Sequence, residues 1–270
     1  MIDPDVVAHY EMGLEGSRLF KDGRPRLEYV RTLELLGRLL PPPPAEVLDV
    51  GGGTGVYAVP LAQQGYKVHV VDPIQLHVDS ARDAADEFEL SGVTASVGDA
   101  RDLAAFREGF DATLLLGPLY HLPDRSDRLL AFEEAMRATR PSGVVIAVGI
   151  SRFASLMDGL KRRILGDLTF RAIVEQDLTD GVHRNPDVAG HPEWFTTAYM
   201  HLPDELRGEA QQVGLEDVSI FAVEGPGWIV EDPDDLDLQL FAARRTESEP
   251  ALLCATSHIM VTGRTPRNAP

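Results

Sequence analysis

The chain has 270 residues, of which 44% are hydrophobic, and its 25 basic and 43 acidic side chains give a formal net charge of −18. This length suits one large α/β domain with additional segments, or two small domains. The hydrophobic content is sufficient for a substantial core. A negative field of this size repels polyphosphate backbones, and no basic cluster in the sequence offsets it. Nucleic acid is therefore a poor candidate partner, whereas a neutral or cationic small molecule is compatible with the charge.

The sequence also bears on the expected compartment. No apolar stretch approaches the roughly 20 residues that a membrane span requires. The first ten residues lack the basic and then apolar pattern of a signal peptide. The only cysteine, Cys254, has no partner for an internal disulfide and suits a reducing environment. We therefore expect a cytoplasmic protein without a membrane partner, and its oligomeric state stays open.

The first 45 residues precede any strand pattern. Residues 10–20 have helical spacing interrupted by two glycines, which predicts a broken helix. Apolar residues recur at helical intervals over residues 27–40, which predicts an amphipathic helix that the prolines at 41–44 end. We interpret residues 1–45 as an N-terminal helical cap.

A glycine-rich turn follows the first predicted strand. The strand ends in an acidic residue followed by three glycines at alternate positions: Asp49, Gly51, Gly53 and Gly55. Helical spacing then resumes at residues 56–64, so the pattern predicts a strand, a tight turn and a helix N-terminus. This arrangement brings backbone N–H groups close to a ligand. A dinucleotide fingerprint would place its third glycine at position 56, where this chain has Val56.

The next three predicted strands also end in residues of the kind that contact ligands. In chain order these are Asp72 and Pro73, then Gly98, Asp99 and Ala100, then Leu116, Gly117, Tyr120 and His121. An acidic residue at the tip of the second strand is placed to accept both hydroxyls of a ribose. Ordinary turn chemistry before a proline is the structural alternative for Asp72. Because the carboxyl ends of parallel strands share one edge of a sheet, we expect these residues to converge there.

The Asp-x-Gly-x-Gly-x-Gly pattern that begins at Asp49 resembles motif I of the class I S-adenosylmethionine (SAM) dependent methyltransferases. The resemblance implies SAM as cofactor and S-adenosylhomocysteine as product. It also implies that Asp99 accepts the adenine amino group and that the next backbone N–H serves the ring. Tyr10 and Arg18 would face the cofactor from an N-terminal helix, with Arg18 beside the methionine carboxylate; ordinary surface polarity is the alternative for both. The implied cofactor-binding residues are Asp49, Gly51, Gly53, Asp72, Pro73, Gly98, Asp99, Ala100, Leu116, Gly117, Tyr10 and Arg18.

The same resemblance implies a fold for the rest of the chain. Strands and helices alternate with short connections over residues 46–150, which predicts right-handed crossovers and a parallel sheet. Residues 203–264 contain a helix and two late strands that complete the sheet, and residues 265–270 are expected to form a tail. The implied fold is α/β, with a Rossmann-like, doubly wound sheet of seven strands, six parallel and the last antiparallel. The resemblance covers residues 46–150 well and residues 203–264 loosely.

Residues 151–202 interrupt the alternation. Helical spacing appears twice, over residues 153–164 and 170–178, and a segment rich in histidine and aromatic residues follows. Inserted after the fifth strand, this helical substrate lid would lie above the carboxyl edge of the sheet. We predict that Trp194 and Tyr199 bind the substrate, together with Tyr120.

Methyl transfer from SAM is an in-line displacement at carbon, in which the enzyme positions the acceptor and excludes water. An acceptor hydroxyl or weakly acidic carbon also needs a general base. His121 and Tyr120 are the predicted catalytic residues because they follow the fourth strand; for His121 a structural role beside the cofactor stays open. The histidines of the lid lack the spacing of zinc motifs, so no metal is expected.

These patterns predict a SAM-dependent methyltransferase that acts on an oxygen, nitrogen or carbon atom of a small molecule. Two alternatives remain. One is a SAM-binding regulatory protein without catalysis, which the same cofactor motifs would serve. The other is a NAD(P)-dependent oxidoreductase, which the missing third glycine disfavours.

Overall fold

The computed structural model describes residues 4–11, 13, 19–21, 24–106, 109–230 and 235–267. The described strands are β1 (Phe20–Lys21), β2 (Arg24–Pro25), β3 (Glu46–Val50), β4 (Lys67–Asp72), β5 (Val93–Val97), β6 (Phe110–Leu115), β7 (Thr139–Ser151), β8 (Val182–His183), β9 (Ala198–His201), β10 (Glu216–Ala222) and β11 (His258–Arg264). The described α-helices are α1 (Pro4–Glu11), α2 (Leu27–Leu39), α3 (Ala58–Gln63), α4 (Gln75–Glu87), α5 (Arg125–Ala138), α6 (Ala154–Arg162), α7 (Leu168–Asp180), α8 (Pro203–Gln212) and α9 (Leu236–Thr246).

The central sheet has the strand order β10–β11–β7–β6–β3–β4–β5. β11 runs antiparallel to both of its neighbours, β7 and β10. The pairs from β7 through β6, β3 and β4 to β5 are all parallel. This arrangement confirms the predicted Rossmann-like, doubly wound fold with one antiparallel strand. The chain enters the sheet at β3 and adds strands on both sides of it, which opens a ligand crevice at the carboxyl ends.

Helices cover both faces of the sheet. Adjacent residues of β3 point to opposite faces, so Val47 packs with α2, α3 and α4, while Leu48 packs with α5 and α8. Both side chains are completely buried. Burial of both faces explains the continuous apolar run at residues 144–148 of β7.

Residues 151–202 contain the two predicted helices, α6 and α7, but the segment is not purely helical as predicted. Its second half forms β8 and β9, and β9 pairs in parallel with the end of β7, where Met200 lies opposite Ile150. β6 pairs with β7 only as far as Ala147. β9 therefore takes the place of β6 beside the protruding end of β7, whose backbone groups need partners when buried.

Two predictions concern the ends of the chain. Most of the broken helix expected at residues 10–20 lies outside the described residues, between the end of α1 at Glu11 and the pairing of Phe20–Lys21 with β2. The residue after β11 is not part of a free tail: Thr265 is buried and its hydroxyl donates to the Arg140 carbonyl oxygen over 2.6 Å. Within the described ranges, no helix combines the length and apolarity needed to cross a bilayer.

Candidate active site

A cavity of about 500 Å³ lies at the carboxyl edge of the sheet, a volume typical of cofactor and small-molecule sites. The turns after β3, β4, β5 and β6 form most of its walls, and residues of α1, α4 and α5 together with Arg184 complete them. We call it the first cavity. The predicted residues that line it are Tyr10, Gly51, Gly53, Asp72, Pro73, Gly98, Asp99, Ala100, Gly117, Tyr120 and His121.

The glycine turn allows the backbone to approach this cavity closely. Gly51 has a φ of +70° and Gly53 a φ of +56°, values that L side chains rarely adopt. A Cβ on Gly51 would also lie 2.7 Å from Cδ of Pro118, in the turn after β6. Position 51 therefore requires glycine for its conformation and for the space between two strand ends.

Asp72 joins the end of β4 to the glycine turn. Its Oδ2 accepts the Gly53 N–H over 2.9 Å, and its Oδ1 accepts the Ile74 N–H over 2.9 Å. Oδ1 also lies 3.0 Å from Nδ1 of His77. A carboxylate offers about four acceptor positions, so these contacts leave about one for a ligand. The side chain is almost fully buried and borders the cavity.

Asp49 and Leu116, which were predicted to bind cofactor, do not line the first cavity. Leu116 packs against the apolar cluster between the sheet and α2–α4. Asp49 is completely buried, and within the described part of the chain neither carboxylate oxygen has a hydrogen-bond partner. Burial, reinforced by the negative charge of Asp72, raises the pKa of Asp49 to about 7.

The raised pKa of Asp49 predicts a specific pH dependence of stability. Because this pKa lies above its ordinary value of 3.8, the folded protein binds more protons than the unfolded chain between about pH 4 and 7. Ionisation of buried Asp49 therefore lowers the free energy of unfolding progressively as the pH rises from about 4 to 7. Above pH 7 this loss of stability stays constant. Asp49→Asn should be more stable than wild type at pH 8, by on the order of 2–4 kcal/mol, with the advantage vanishing near pH 4.

Denaturant unfolding of both proteins from pH 4 to 8 measures this difference. The exposed Asp83 on α4 provides the control, because Asp83→Asn should change the free energy of unfolding by less than about 0.5 kcal/mol at each pH. A difference between Asp49→Asn and wild type that does not vary with pH would contradict the assignment.

Asp99 is held by an arginine that the sequence analysis missed. Arg101 donates from Nε to Oδ1 over 2.9 Å and from Nη2 to Oδ2 over 2.6 Å, while its Nη1 donates to Asp127 over 2.6 Å. Burial alone would raise the pKa of Asp99, but the hydrogen bonds and charge of Arg101 outweigh it and hold that pKa below its ordinary value. Asp99 is thus a fixed, ionised acceptor on the cavity wall. Its proximity to Arg101 in sequence was a signal for this pair.

His77 is a second residue that the sequence analysis missed. It lies in the first turn of α4, where its ring borders the first cavity and packs edge-on against Tyr10 at 5.4 Å. Nδ1 contacts Asp72, whereas Nε2 is buried and has no partner among the described residues. A buried ring nitrogen on a cavity wall is a natural contact for a polar ligand atom.

Tyr10 connects α1 to the turn after β6. Its hydroxyl lies 2.6 Å from Nε2 of His121, and Nδ1 of His121 lies 3.3 Å from the Thr197 carbonyl oxygen. In a neutral imidazole this pattern places the proton on Nδ1, so that Nε2 accepts from the tyrosine hydroxyl. The contact holds α1 against the first cavity. Arg18, the other residue predicted on the N-terminal helix, lies outside the described residues.

A second cavity, of about 220 Å³, shares Tyr10 and Tyr120 with the first. Its other walls come from the lid segment and from the long connection between β10 and β11. Most of its larger side chains are aromatic, and it includes the predicted substrate residue Trp194. The aromatic residues that line it besides Tyr10 and Tyr120 are Phe170, Trp194, Phe195 and Trp228.

Tyr199, the other residue predicted to bind substrate, lines neither cavity. The guanidinium carbon of Arg128 lies 3.7 Å from the centre of its ring. The Tyr199 hydroxyl instead contacts Arg152 and Glu205, each over 3.3 Å. These contacts give Tyr199 a packing role between β9 and the arginines.

One group of three side chains within the described ranges has metal-ligand atoms all within 4.8 Å of one another: Glu28, Glu224 and His258. The sequence analysis expected no metal and did not associate these residues. His258 borders the second cavity. His183 of the lid segment also borders the second cavity, but both of its ring nitrogens contact other protein atoms. Nδ1 lies 2.9 Å from Asp177, and Nε2 lies 2.8 Å from the Trp194 carbonyl oxygen.

Part of the chain is similar to known methyltransferases. Residues 47–143 match a family model described as a methyltransferase domain. The ubiquinone biosynthesis O-methyltransferase of Methylocella silvestris is 32% identical over 139 residues, which are 50% of this chain and 49% of that protein. Its counterpart from Azorhizobium caulinodans is 32% identical over 108 residues, 39% of this chain and 40% of that protein. The chain thus spans less than half the length of these curated relatives.

Solved structures share the fold more extensively. A possible histamine N-methyltransferase from Thermotoga maritima has a TM-score of 0.56 at 18% identity and covers 96% of each chain. An N-methyltransferase from Haemonchus contortus, solved with phosphomonomethylethanolamine and S-adenosylhomocysteine, has a TM-score of 0.60 at 18% identity, over 96% of this chain and 57% of that one. The match over residues 47–143 agrees with the methyltransferase resemblance of the glycine motif, and the solved structures share the fold.

Proposed function

We propose that this protein is a SAM-dependent methyltransferase that acts on a small-molecule acceptor. The observation that carries the proposal is the pairing of two cavities at one edge of the sheet. The first is lined by the strand-end motifs, and the second adjoins it at Tyr10 and Tyr120. Methyl transfer needs an acceptor next to the cofactor, whereas a regulatory SAM-binding protein needs only one cavity. The second cavity therefore favours catalysis.

The residues around the first cavity fit SAM chemically. The backbone at Gly51 and Gly53 approaches closely enough to contact the methionine part, and Asp72 offers an acceptor to a ribose hydroxyl. Asp99 and the Ala100 N–H suit the adenine ring. When bound, SAM supplies an electrophilic methyl group attached to a sulfonium, and the negatively charged walls suit that cation.

The acceptor atom that we propose is oxygen. The two curated relatives are O-methyltransferases of ubiquinone biosynthesis, so a small molecule with a hydroxyl group is the first class to test. The net charge of −18 argues against a nucleic-acid acceptor.

Calorimetric titration with S-adenosylhomocysteine tests the cofactor assignment. We expect micromolar binding by the folded protein and no measurable binding of NADH in a parallel titration. Binding of NADH instead would favour the oxidoreductase alternative. Binding of S-adenosylhomocysteine without methyl transfer to any member of a panel of phenols, alcohols and amines would favour the regulatory alternative.

The contact between Tyr10 and His121 gives a separate prediction about the first cavity. Tyr10→Phe and His121→Ala each remove this hydrogen bond, so each should weaken S-adenosylhomocysteine binding by about 2- to 12-fold, corresponding to ~0.5–1.5 kcal/mol. Because both changes remove the same interaction, their effects should not add. The double variant should bind S-adenosylhomocysteine about as tightly as the single variant with the larger loss of affinity. Titration calorimetry on the four proteins measures the coupling. Additive losses would show that the two side chains act independently.

A further inference from the structure

We propose that the second cavity binds an acceptor through a positively charged nitrogen, which lies between aromatic rings and the carboxylates of Asp158 and Glu193. The hydroxyl group that receives the methyl then lies at the other side of the acceptor, next to the first cavity. This inference rests on the proposed methyl transfer. It adds a class of acceptor, a hydroxylated amine, and two specificity-determining residues.

The charged side chains on the wall of the second cavity favour a cation. Among the described residues that line it, Asp158 and Glu193 carry carboxylates, and none is a lysine or an arginine. Their side chains are 36% and 48% exposed, so solvent reaches both. Hydrogen bonds from its own backbone N–H and from His191 outweigh partial burial and hold the pKa of Glu193 below its ordinary value. The wall therefore attracts a cationic group and repels an anionic one.

The cationic side chains nearest to the second cavity are engaged with the protein. Nη1 of Arg162 donates to Asp158 over 3.0 Å and to the Glu193 carbonyl oxygen over 3.1 Å. Nζ of Lys161 donates to the Trp228 carbonyl oxygen over 2.9 Å. Arg162 thus offsets part of the charge of Asp158, whereas its bond to Glu193 goes to the main chain. We therefore expect Glu193 to contribute the larger share of the attraction.

The two histidines on the same wall do not reverse its charge. Nδ1 of His183 lies 2.9 Å from Asp177, and Nδ1 of His258 lies 2.6 Å from Glu224. Both of these carboxylates are buried. Because each histidine is paired with a carboxylate, neither pair has a net positive charge, even when the imidazole is protonated.

Aromatic rings form much of the remaining wall. The faces of such rings attract a cation that lies within about 6 Å of the ring centre. The ring centres of Tyr120 and Phe195 lie 6.3 Å apart with their planes inclined by 55°, so these rings form two sides of a corner. The ammonium group of Lys161 lies 5.3 Å from the ring centre of Trp228. His191 stacks on Trp194 at 3.8 Å and covers one face of that ring.

The lining residues also favour one orientation of the acceptor. Tyr10 and Tyr120 border both cavities, whereas Asp158 and Glu193 border only the second. The reacting group must lie near the cofactor, so it belongs at the tyrosines, and the charged nitrogen belongs at the carboxylates. The volume of about 220 Å³ exceeds the ~150 Å³ of an apolar cavity that holds benzene, which leaves room for a ring with a short side chain.

A charged nitrogen also directs the methyl group to oxygen. A protonated amine has no lone pair, so it cannot attack the methyl carbon. An electron pair of the hydroxyl oxygen forms the new bond to that carbon. The bond between the carbon and sulfur breaks, and its electron pair stays on sulfur. The hydroxyl proton leaves to solvent, and the products are the methyl ether, S-adenosylhomocysteine and a proton.

Three catechols that share a two-carbon side chain test the proposal. At pH 7 dopamine is a cation, 3,4-dihydroxyphenylethanol is neutral and 3,4-dihydroxyphenylacetate is an anion. We expect the protein saturated with S-adenosylhomocysteine to bind dopamine about 5- to 30-fold more tightly than the neutral analogue, from a cation–π contact and an ion pair together. The anion should bind more weakly than the neutral analogue. Titration calorimetry measures binding, and kcat/KM for methyl transfer from SAM should follow the same order.

Variants of the two carboxylates test which residues read the charge. Glu193→Gln should reduce the preference for dopamine over the neutral analogue by about 2- to 5-fold. Asp158→Asn should also reduce it, and the double variant should remove most of it. Affinity for the neutral analogue should stay unchanged. Glu175, an exposed residue of α7 that lines neither cavity, provides the control, since Glu175→Gln should keep the full preference.

S-adenosylhomocysteine affinity, measured in every variant, separates the outcomes. Affinity within about twofold of wild type shows that a variant is folded and its cofactor site intact. Equal binding of dopamine and the neutral analogue, or tighter binding of the anion, would overturn the cation site. A preference that survives in the double variant would overturn the two carboxylates as its source. A methyl group on the nitrogen would overturn the orientation.

The same titrations distinguish this inference from the proposed function. Wild type that binds S-adenosylhomocysteine but none of the three catechols would overturn the acceptor class and leave the cofactor assignment intact. Wild type that does not bind S-adenosylhomocysteine would overturn the proposed function itself.

Discussion

Asp72→Ala is expected to weaken S-adenosylhomocysteine binding by about 10- to 150-fold, corresponding to the ~1.5–3 kcal/mol of a charge-assisted hydrogen bond. In the proposed function the carboxylate offers an acceptor to the ribose, and in the structure it accepts the N–H groups of Gly53 and Ile74. Its removal therefore takes away a ligand contact and releases the glycine turn that shapes the cavity. Titration calorimetry measures the loss.

The control for this prediction lies on the following helix. Asp79 is exposed, where it lies 3.5 Å from Arg82 and accepts from the Gln75 side chain over 2.7 Å, so Asp79→Ala should leave the affinity unchanged. Because Asp72 also supports the fold, circular dichroism and thermal unfolding of the variant must show a native structure. Unchanged affinity in a folded Asp72→Ala protein would mean that the ribose lies elsewhere.

Glu209→Ala is expected to destabilise the protein by about 3–5 kcal/mol, since it leaves the buried charge of Arg128 without its partner. Nη2 of Arg128 donates to Glu209 over 2.7 Å, and both side chains are 2% exposed. Nε of Arg128 also donates to Glu209 over 3.1 Å, and Nη1 donates to the carbonyl oxygens of Leu122 and Pro123 over 2.9 and 2.7 Å. The pair therefore joins α5 and α8 and also supports the turn after β6, which borders the first cavity.

The midpoint of denaturant unfolding measures this effect. Asp204 and Arg207, on the same helix as Glu209, form an ion pair over 2.7 Å in which Asp204 is 90% exposed. Asp204→Ala should cost less than about 1 kcal/mol because solvent screens such a pair. Similar losses in the two variants would show that burial does not strengthen the pair between Arg128 and Glu209.

The turn motifs were predictable from sequence because they are local. Glycines at 51 and 53 follow a strand within a few residues, and their positive φ angles and the close approach of Pro118 are consequences of that short segment. Strand ends such as Asp72 and Asp99 were found by the same reasoning, because every parallel strand delivers its last residue to one edge. Most predicted cofactor residues therefore border the first cavity.

Asp49 shows the limit of this local argument. The residue belongs to the same motif, but the pleat of β3 turns its side chain under the glycine turn, where it is completely buried. Tyr199 shows a related limit, since its aromatic ring packs against Arg128 instead of the second cavity. The residue type was read from the sequence in each case, whereas the direction of the side chain depends on its packing partners.

The sequence by itself thus determined the order of the core strands and helices, the glycine turn and the edge of the sheet at which the predicted site residues gather. Only the tertiary structure decided which distant side chains meet. Tyr10 contacts His121 across 111 residues, and Glu224 holds His258 across 34. The physical reason is that hydrophobic periodicity and turn chemistry act over a few residues, whereas such contacts depend on how β9 extends β7 and how β11 enters the sheet in reverse.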